Sequence, residues 1–405
     1  MRIGKLFTLL LLAALVCTQY ACKKDNSGAP VITGLRASAP APYDTTLTMA
    51  GPGQVVVIQG ANLANAKQIL FNGYAAPFNS ALFANNTIIV AIPADMPFGR
   101  LNPDNLNTVK VITPDGEAVY TFPIIPSAAT ITAMSNEDAL PGDRVTIYGS
   151  NFFFVKKVIF PGGKEVTTNL SANDAGNQLQ VTVPTGVTTG GTITVQTLFG
   201  TATSVLRFND LTTGVLHNSD NVSNFVWGCD VITDASLFPG GRGTYNQMAF
   251  TNVNGGDGAW WSGGRSLHTN SVQWIPVSNI SDPLANYALK FEINLKTPWS
   301  AGKLLIVKDS KFDTHQALYS PWLNADGSTT AFTTNGWQTV TIPLTSFKAK
   351  DGSGNYAMGT MVPSLKALVG DSGAGSFDIM FLNTGTTAIA KFDMAIDNIR
   401  IVKIK

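Results

Sequence analysis

The sequence predicts an all-β chain: two copies of one small sandwich, then a larger β-sandwich or jelly roll. Three observations carry this reading. Charged residues make up 13% of the 405, about half the usual share, and Thr, Asn, Ser, 38 glycines and 21 prolines take their place, the composition of short strands joined by turns. A segment running Pro52-Gly53-Gln54-Val55-Val56-Val57-Ile58-Gln59-Gly60-Ala61-Asn62 recurs as Pro141-Gly142-Asp143-Arg144-Val145-Thr146-Ile147-Tyr148-Gly149-Ser150-Asn151. Farther on, Leu289, Phe291, Ile293 and Leu295 alternate with Lys290, Glu292, Asn294 and Lys296, the period of a half-buried strand.

At the N-terminus, Arg2 and Lys5 precede an apolar run over residues 6–16, long enough for a signal segment and too short to span a bilayer. QYACKKDN follows, with small Ala21 before Cys22. This resembles a bacterial lipoprotein signal, although Gln19 stands where an aliphatic residue is usual; a plain signal peptide cut nearby is the alternative. The Lys-Lys-Asp run after Cys22 resembles the surface-export tag of Bacteroidetes lipoproteins. The resemblance implies a signal over 1–21, a tether over 22–29, and a lipid anchor through Cys22 on the cell surface of the outer membrane.

Beyond Cys22 the sole thiol is Cys229, so the cores must hold by packing without an internal disulfide. His217, His268 and His315 are scattered singly, which argues for surface or loop positions and against a transition-metal site. No cofactor is implied. A formal net charge of +1 argues against nucleic acid and against an electrostatic membrane surface.

The repeat extends past its first strand. Ile69-Leu70-Phe71-Asn72-Gly73 aligns without a gap on Val158-Ile159-Phe160-Pro161-Gly162, Val90-Ala91-Ile92-Pro93 on Val181-Thr182-Val183-Pro184, and residues 113–116 on 197–200. Val56 and Ile58, or Val145 and Ile147, face a core, while Pro-Gly before the strand and Gly-x-Asn after it make the turns. The pattern resembles the IPT/TIG group of immunoglobulin-like domains, as copies over 30–126 and 127–209. Both copies lack Trp and are poor in paired acids and His, so they read as spacers.

All seven tryptophans lie in the third domain, residues 210–405, at 227, 260, 261, 274, 299, 322 and 337. Strands are expected at 289–296, 303–308, 337–344, 377–382 and 392–404, with no amphipathic helix. The apolar phase of the last strand runs Phe392, Met394, Ile396 and then shifts to Ile399 and Ile401, as a bulge near Asp397-Asn398 would produce. Trp274, in VQWIPV, and Trp337, in GWQTVTIPL, suit core positions.

The sharpest anomaly is NGGDGAWWSGGRSLHTNSVQW over 254–274, where Trp260 and Trp261 sit between glycine clusters. Indoles in a flexible loop must plug a gap or face a ligand. With Trp227 upstream, Trp299 after a proline, and Tyr319 and Trp322 in YSPW, they suit sugar recognition, because pyranose C–H groups match the electron-rich indole face. Asn254, Asp257, Arg265, His268 and Asn270 supply hydrogen-bonding groups, and Glu292 adds one on the polar strand face.

The anchored N-terminus, tandem immunoglobulin-like copies, TPWSAGKLLIVKD, YSPW and GWQTVTIPL together resemble the B-type surface glycan-binding proteins of Bacteroidetes polysaccharide-utilisation systems. That resemblance implies capture of a polysaccharide, β-glucan or xyloglucan-type, on a terminal aromatic platform of Trp260, Trp261 and Trp227, with Tyr319 and Trp322 as an alternative. It also implies a SusC/SusD-type importer and surface glycoside hydrolases as partners. An adhesin is the rival reading. A hydrolase needs two placed carboxyl groups, and the third domain has one glutamate, Glu292, among scattered aspartates. GPGQ at Gly51 and DGSGNY at Asp351 lack the context of a phosphate cradle, and Tyr356 stands where a calcium loop needs Gly. Asp397 is a candidate for a structural calcium.

Overall fold

The computed structural model describes residues 28–405; the signal segment and Cys22 lie outside the described residues. By contact the chain divides into one unit ending at Ser127 and a second from Ala128 to Lys405.

In the first unit, a sheet of Val31–Ala37, Val55–Ala61 and Thr87–Ala91 accompanies a four-stranded sheet of Tyr74–Ala75, Gln68–Phe71, Thr108–Thr113 and Gly116–Thr121. Val56, Ile58, Ile69, Phe71 and Val109 fill its core. The second copy repeats the topology: Thr130–Met134, Arg144–Ser150 and Gln178–Thr182 in one sheet, Val155–Phe160, Gly191–Thr197 and Gly200–Phe208 in the other.

The repeated residues recur for physical reasons. A Cβ on Gly60 would lie 1.8 Å from the Val31 carbonyl oxygen, and one on Gly149 1.9 Å from that of Thr130, so the first strand of each copy crosses where only glycine fits. The Asn of Gly-x-Asn takes a left-handed φ in both copies, and its amide donates to the Ala29 or Ala128 carbonyl at 3.1 Å. Thr113 and Thr197 each close their hairpin by donating to the carbonyl of Gly116 or Gly200.

From Val215 onward the chain forms a larger sandwich. One sheet orders Asp230–Ile232, Tyr245–Val253, Ile389–Lys403, Tyr287–Leu295 and Gln338–Pro343, with Val215–His217 also on Ile389–Lys403; the other orders Phe225–Gly228, Ser266–Thr269, Phe377–Leu382, Lys303–Lys308 and Ala317–Tyr319. Leu289, Phe291, Ile293, Leu304, Ile306, Ile379 and Phe381 pack between them. The expected bulge is present: Lys290 pairs with Arg400 but Glu292 with Asp397, and Asn398 takes φ +50°. Among the described residues, one α-helix appears that periodicity did not predict, the five-residue Leu365–Val369, capped by Ser364 Oγ accepting from Ala367 N at 3.1 Å.

The polar face of Tyr287–Leu295 corrects the sequence reading. The whole strand is buried, because the second immunoglobulin-like copy covers the side carrying Lys290 and Glu292. Arg400 lies between two carboxylates, donating to Glu292 at 2.7 and 2.9 Å and to Glu137 of the second copy at 2.9 Å, and Lys290 also bonds Glu137. Thr339 donates to Glu292 and receives the Glu137 amide. Asp138 accepts from Arg242 at 2.8 Å and from Asn398 at 2.9 Å. The second copy is therefore bonded to the third domain rather than standing as a free spacer. Asp397 is buried at this junction; among the described residues no group of three metal-ligating side chains forms.

Candidate functional site

The strand Lys303–Lys308 reads KLLIVK, and its four central residues are buried. Leu304 and Ile306 face the sandwich core; Leu305 and Val307 face the other way, alongside Met380 and Leu382. A strand apolar on both faces needs a second cover. That cover consists of Trp260, Phe312 and Tyr356, contributed by loops, and Leu318 of the neighbouring strand.

The aromatic cover continues into an exposed patch. Trp227 stacks on Trp260 at 6.0 Å between centroids and 30° between planes, and on His268 at 5.2 Å and 20°. Trp260 meets Phe312 at 5.5 Å, and Phe312 meets Tyr356 at 6.3 Å. Trp261 stands perpendicular to Trp260 at 5.5 Å. Trp261 is 65% and Trp227 38% exposed, while Trp260 is half-buried on the sheet. Three of the predicted tryptophans thus come together. Phe312 and Tyr356 were missed, although the unbroken LLIV run implied that something must cover its second face.

The glycine loop is fixed from within. Asp257 pairs with Arg265 at 3.1 Å, accepts the Ala259 amide at 2.8 Å and forms a backbone bridge with Asn383. The Ala259 amide and the Arg265 guanidinium hold the Asp257 carboxyl below its ordinary value. Arg265 is buried and also donates to the Ser262 carbonyl. Gly255 is required where it stands, since a Cβ there would lie 2.3 Å from the Thr386 carbonyl oxygen. Asp257 and Arg265, expected as sugar contacts, are therefore bonded to each other and shape the loop that carries Trp260 and Trp261.

Other expected contacts lie elsewhere. Trp299 is 1% exposed; its N–H donates to the Ala301 carbonyl at 2.9 Å, and its backbone pairs with Phe332, so the context after Pro298 is a bridge rather than an open loop. Tyr319 packs edge-on against Phe291 and Trp299. Burial pushes its hydroxyl pKa up, and it presents no platform. Trp274 and Trp337 are buried as expected. Glu292, considered as a sugar acceptor, is occupied by Arg400. His217 is not a surface residue: pairing with the closing strand buries it, with Asn246 Oδ1 at 2.7 Å and Ser219 Oγ at 2.8 Å as partners. Burial pushes the Cys229 thiol up to about 12, which leaves it protonated and inert.

Trp322 is half-buried, donating to the Gly302 carbonyl at 2.6 Å. It lines a groove of about 1050 Å³ with Lys303, Leu318, Tyr356, Met358 and Asn383. Tyr356 and Leu318 belong to both the groove and the aromatic cover, so the two are continuous. Three carboxylates near the aromatic rings are engaged: Asp257 by Arg265, Asp309 by Lys308, and fully buried Asp378 by His268 Nδ1 and by Ser310 N and Oγ. This arrangement offers flat apolar surface beside a groove of mixed polar and apolar lining, suited to binding a ring-shaped, hydroxyl-rich ligand.

Comparison with known proteins finds similar chains. Residues 208–403 match the family model of the surface glycan-binding protein B xyloglucan-binding domain. An IPT/TIG domain-containing protein of Bacteroides ovatus is 26% identical over 218 residues, 51% of this chain; the match spans 45% of that relative's length. The crystal structure of the surface glycan-binding protein PbSGBP-B from Prevotella bryantii superposes with a TM-score of 0.74 at 23% identity, covering 94% of this chain and 100% of that one. An SGBP-B from a complex xyloglucan utilisation locus in Bacteroides uniformis gives a TM-score of 0.52 at 18% identity, covering 92% and 99%. At these identities the two structures speak for the shared fold.

Proposed function

We propose that this chain, whose residues 208–403 match the xyloglucan-binding domain of surface glycan-binding protein B, captures a polysaccharide of β-glucan or xyloglucan type by stacking sugar rings on Trp227, Trp260 and Trp261. The observation that carries the proposal is the aromatic patch laid over the outer face of a sheet, exposed at Trp227 and Trp261 and continuous with a groove of mixed lining. A stacked pyranose that removes about 100 Å² of apolar surface gains about 2.5 kcal/mol gross at roughly 25 cal/mol per Å². Two or three such contacts, less the cost of association, give affinities on the order of micromolar to millimolar, enough for a polymer held at many points.

In this reading the protein binds and does not cleave; Asp257, Asp309 and Asp378, beside the platform, are each tied up in structural bonds rather than set as a catalytic pair. It is anchored through lipid on Cys22 at the cell surface of the outer membrane, and passes glycan to a SusC/SusD-type importer alongside surface glycoside hydrolases. The signal-like N-terminus and the Lys-Lys-Asp run support that placement.

The test is affinity electrophoresis in gels containing xyloglucan or mixed-linkage β-glucan, with wild type, Trp227→Ala and Trp260→Ala. Retardation of wild type that both variants lose supports the proposal. Equal mobility of all three in every glycan, or release of reducing ends by wild type, sinks it.

A further inference from the structure

The groove beside the platform has an unusual charge balance. Its lining includes two charged side chains, Lys303 and Lys348, and no aspartate or glutamate. Among the described residues, neither ammonium has a hydrogen-bond or ion-pair partner, in contrast to Lys308, paired with Asp309, and Lys366, paired with Asp371 at 2.7 Å. Lys303 is half-buried: it stands on the outer face of its strand, opposite buried Leu382, and burial draws its pKa below the ordinary lysine value. A third cation, Lys350, lies with Nζ 4.6 Å from the ring centroid of Tyr356, which lines the same groove. The nearby Asp351 carboxylate is taken up by Asn355 and by the Ser353 amide.

An unpaired ammonium that has lost part of its hydration is a cost to the free protein, and sugar hydroxyls recover only part of it. A carboxylate recovers more, because it brings the missing counter-charge as well as acceptor oxygens. We propose that this groove takes a carboxylate-bearing sugar, a uronic acid on a side branch of the glycan, with its carboxylate against Lys303 and Lys348. The inference rests on the platform reading above and deepens it: the rings hold the main chain, and the lysines select an acidic branch. Lys350, fixed on Tyr356, adds positive potential at the point where platform and groove join.

The test uses the purified mature chain and three polymers: glucuronoxylan, the same glucuronoxylan after carboxyl reduction, and neutral xyloglucan. Calorimetry should show glucuronoxylan binding weakened about fivefold to tenfold by carboxyl reduction and weakened further as salt rises from about 50 to about 500 mM. Lys303→Met and Lys348→Met should each lower affinity for the acidic polymer severalfold more than affinity for xyloglucan. Lys303→Gln, which keeps a polar head, guards against a folding defect in the methionine variant. Equal affinity for native and reduced glucuronoxylan overturns the inference, and so does a loss on all polymers alike in the lysine variants. Binding of xyloglucan alone, abolished by Trp260→Ala, overturns the acidic branch but leaves the platform standing. Binding of none of the polymers overturns both.

Discussion

Trp227 and Trp260 come from separate segments, yet their rings lie 6.0 Å apart and 30° from parallel, with His268 5.2 Å from Trp227 on a neighbouring strand. Trp227 is set by its pairing with His268 across adjacent strands, and Trp260 by packing on Leu305, Val307, Met380 and Leu382. Each ring is therefore held by a different element. Trp227→Ala and Trp260→Ala should each weaken glycan binding by about 1–2 kcal/mol, roughly fivefold to thirtyfold in Kd. Trp299→Ala, deep in the core, should instead cost about 3–5 kcal/mol of stability. Calorimetry and urea denaturation of the three variants separate the two effects.

Arg265 is buried, so it tests whether loop geometry matters apart from the rings. Arg265→Ala leaves Asp257 without its cation and removes the donor to the Ser262 carbonyl. The expected result is a loss of about 1–3 kcal/mol in stability with a fall in glycan affinity, although every tryptophan is retained. Unchanged affinity in a folded Arg265→Ala protein would show that the loop holds its shape without this tie.

Glu137 sits between Lys290 and Arg400 at the junction of the second copy with the third domain. Glu137→Ala leaves buried Lys290 without its carboxylate and Arg400 with Glu292 alone, a change that typically costs about 3–5 kcal/mol. Denaturation followed by tryptophan fluorescence, which reports the third domain, and by far-UV dichroism, which reports both, should coincide in wild type and separate in the variant.

Asp138 gives the junction a pH dependence of known sign. Burial, helped by the Glu292 carboxylate, raises its pKa from 3.8 to about 7 against the pull of Arg242 and Arg400. Asp397 is shifted upward as well, chiefly by burial. An acid raised on folding keeps its proton in the native state after the unfolded chain has released it. Its contribution is therefore greatest below pH about 4 and is lost as pH rises toward about 7, by on the order of 1 kcal/mol per pH unit. Urea midpoints taken across that window should fall more steeply for wild type than for Asp138→Asn.

Much of the fold was legible because the repeat and the strand alternation are local signals. The Asn62 and Asn151 turns and the bulge at Asn398 are marked by local residue patterns, and the repeat marks Gly60 and Gly149, although the carbonyls they cross, on Val31 and Thr130, lie far off in sequence. The junction was not legible: Lys290 and Glu292 look like a solvated face until Glu137, from another module, is placed against them. At the site, the glycine-flanked loop marked Trp260 and Trp261, whereas Pro298-Trp299 and Tyr319 suggested exposure where bridges and core packing prevail. Asp257 and Arg265 carry the residue types of sugar contacts, and only coordinates show that they satisfy each other.

The outer face of the second sheet has a further consequence. Leu305, Val307, Met380 and Leu382 would be an oily surface if the loops bearing Trp260, Phe312 and Tyr356 were lifted. Trp260, one of the rings proposed to meet a sugar, is thus also part of the waterproofing of the strands beneath it. A lineage changing its preferred glycan is not free to trade these aromatics for small polar residues, because each exchange exposes a sheet that would then seek another molecule to cover it. Changes in specificity should accordingly accumulate in the groove around Lys303 and Lys348, whose replacement bares nothing.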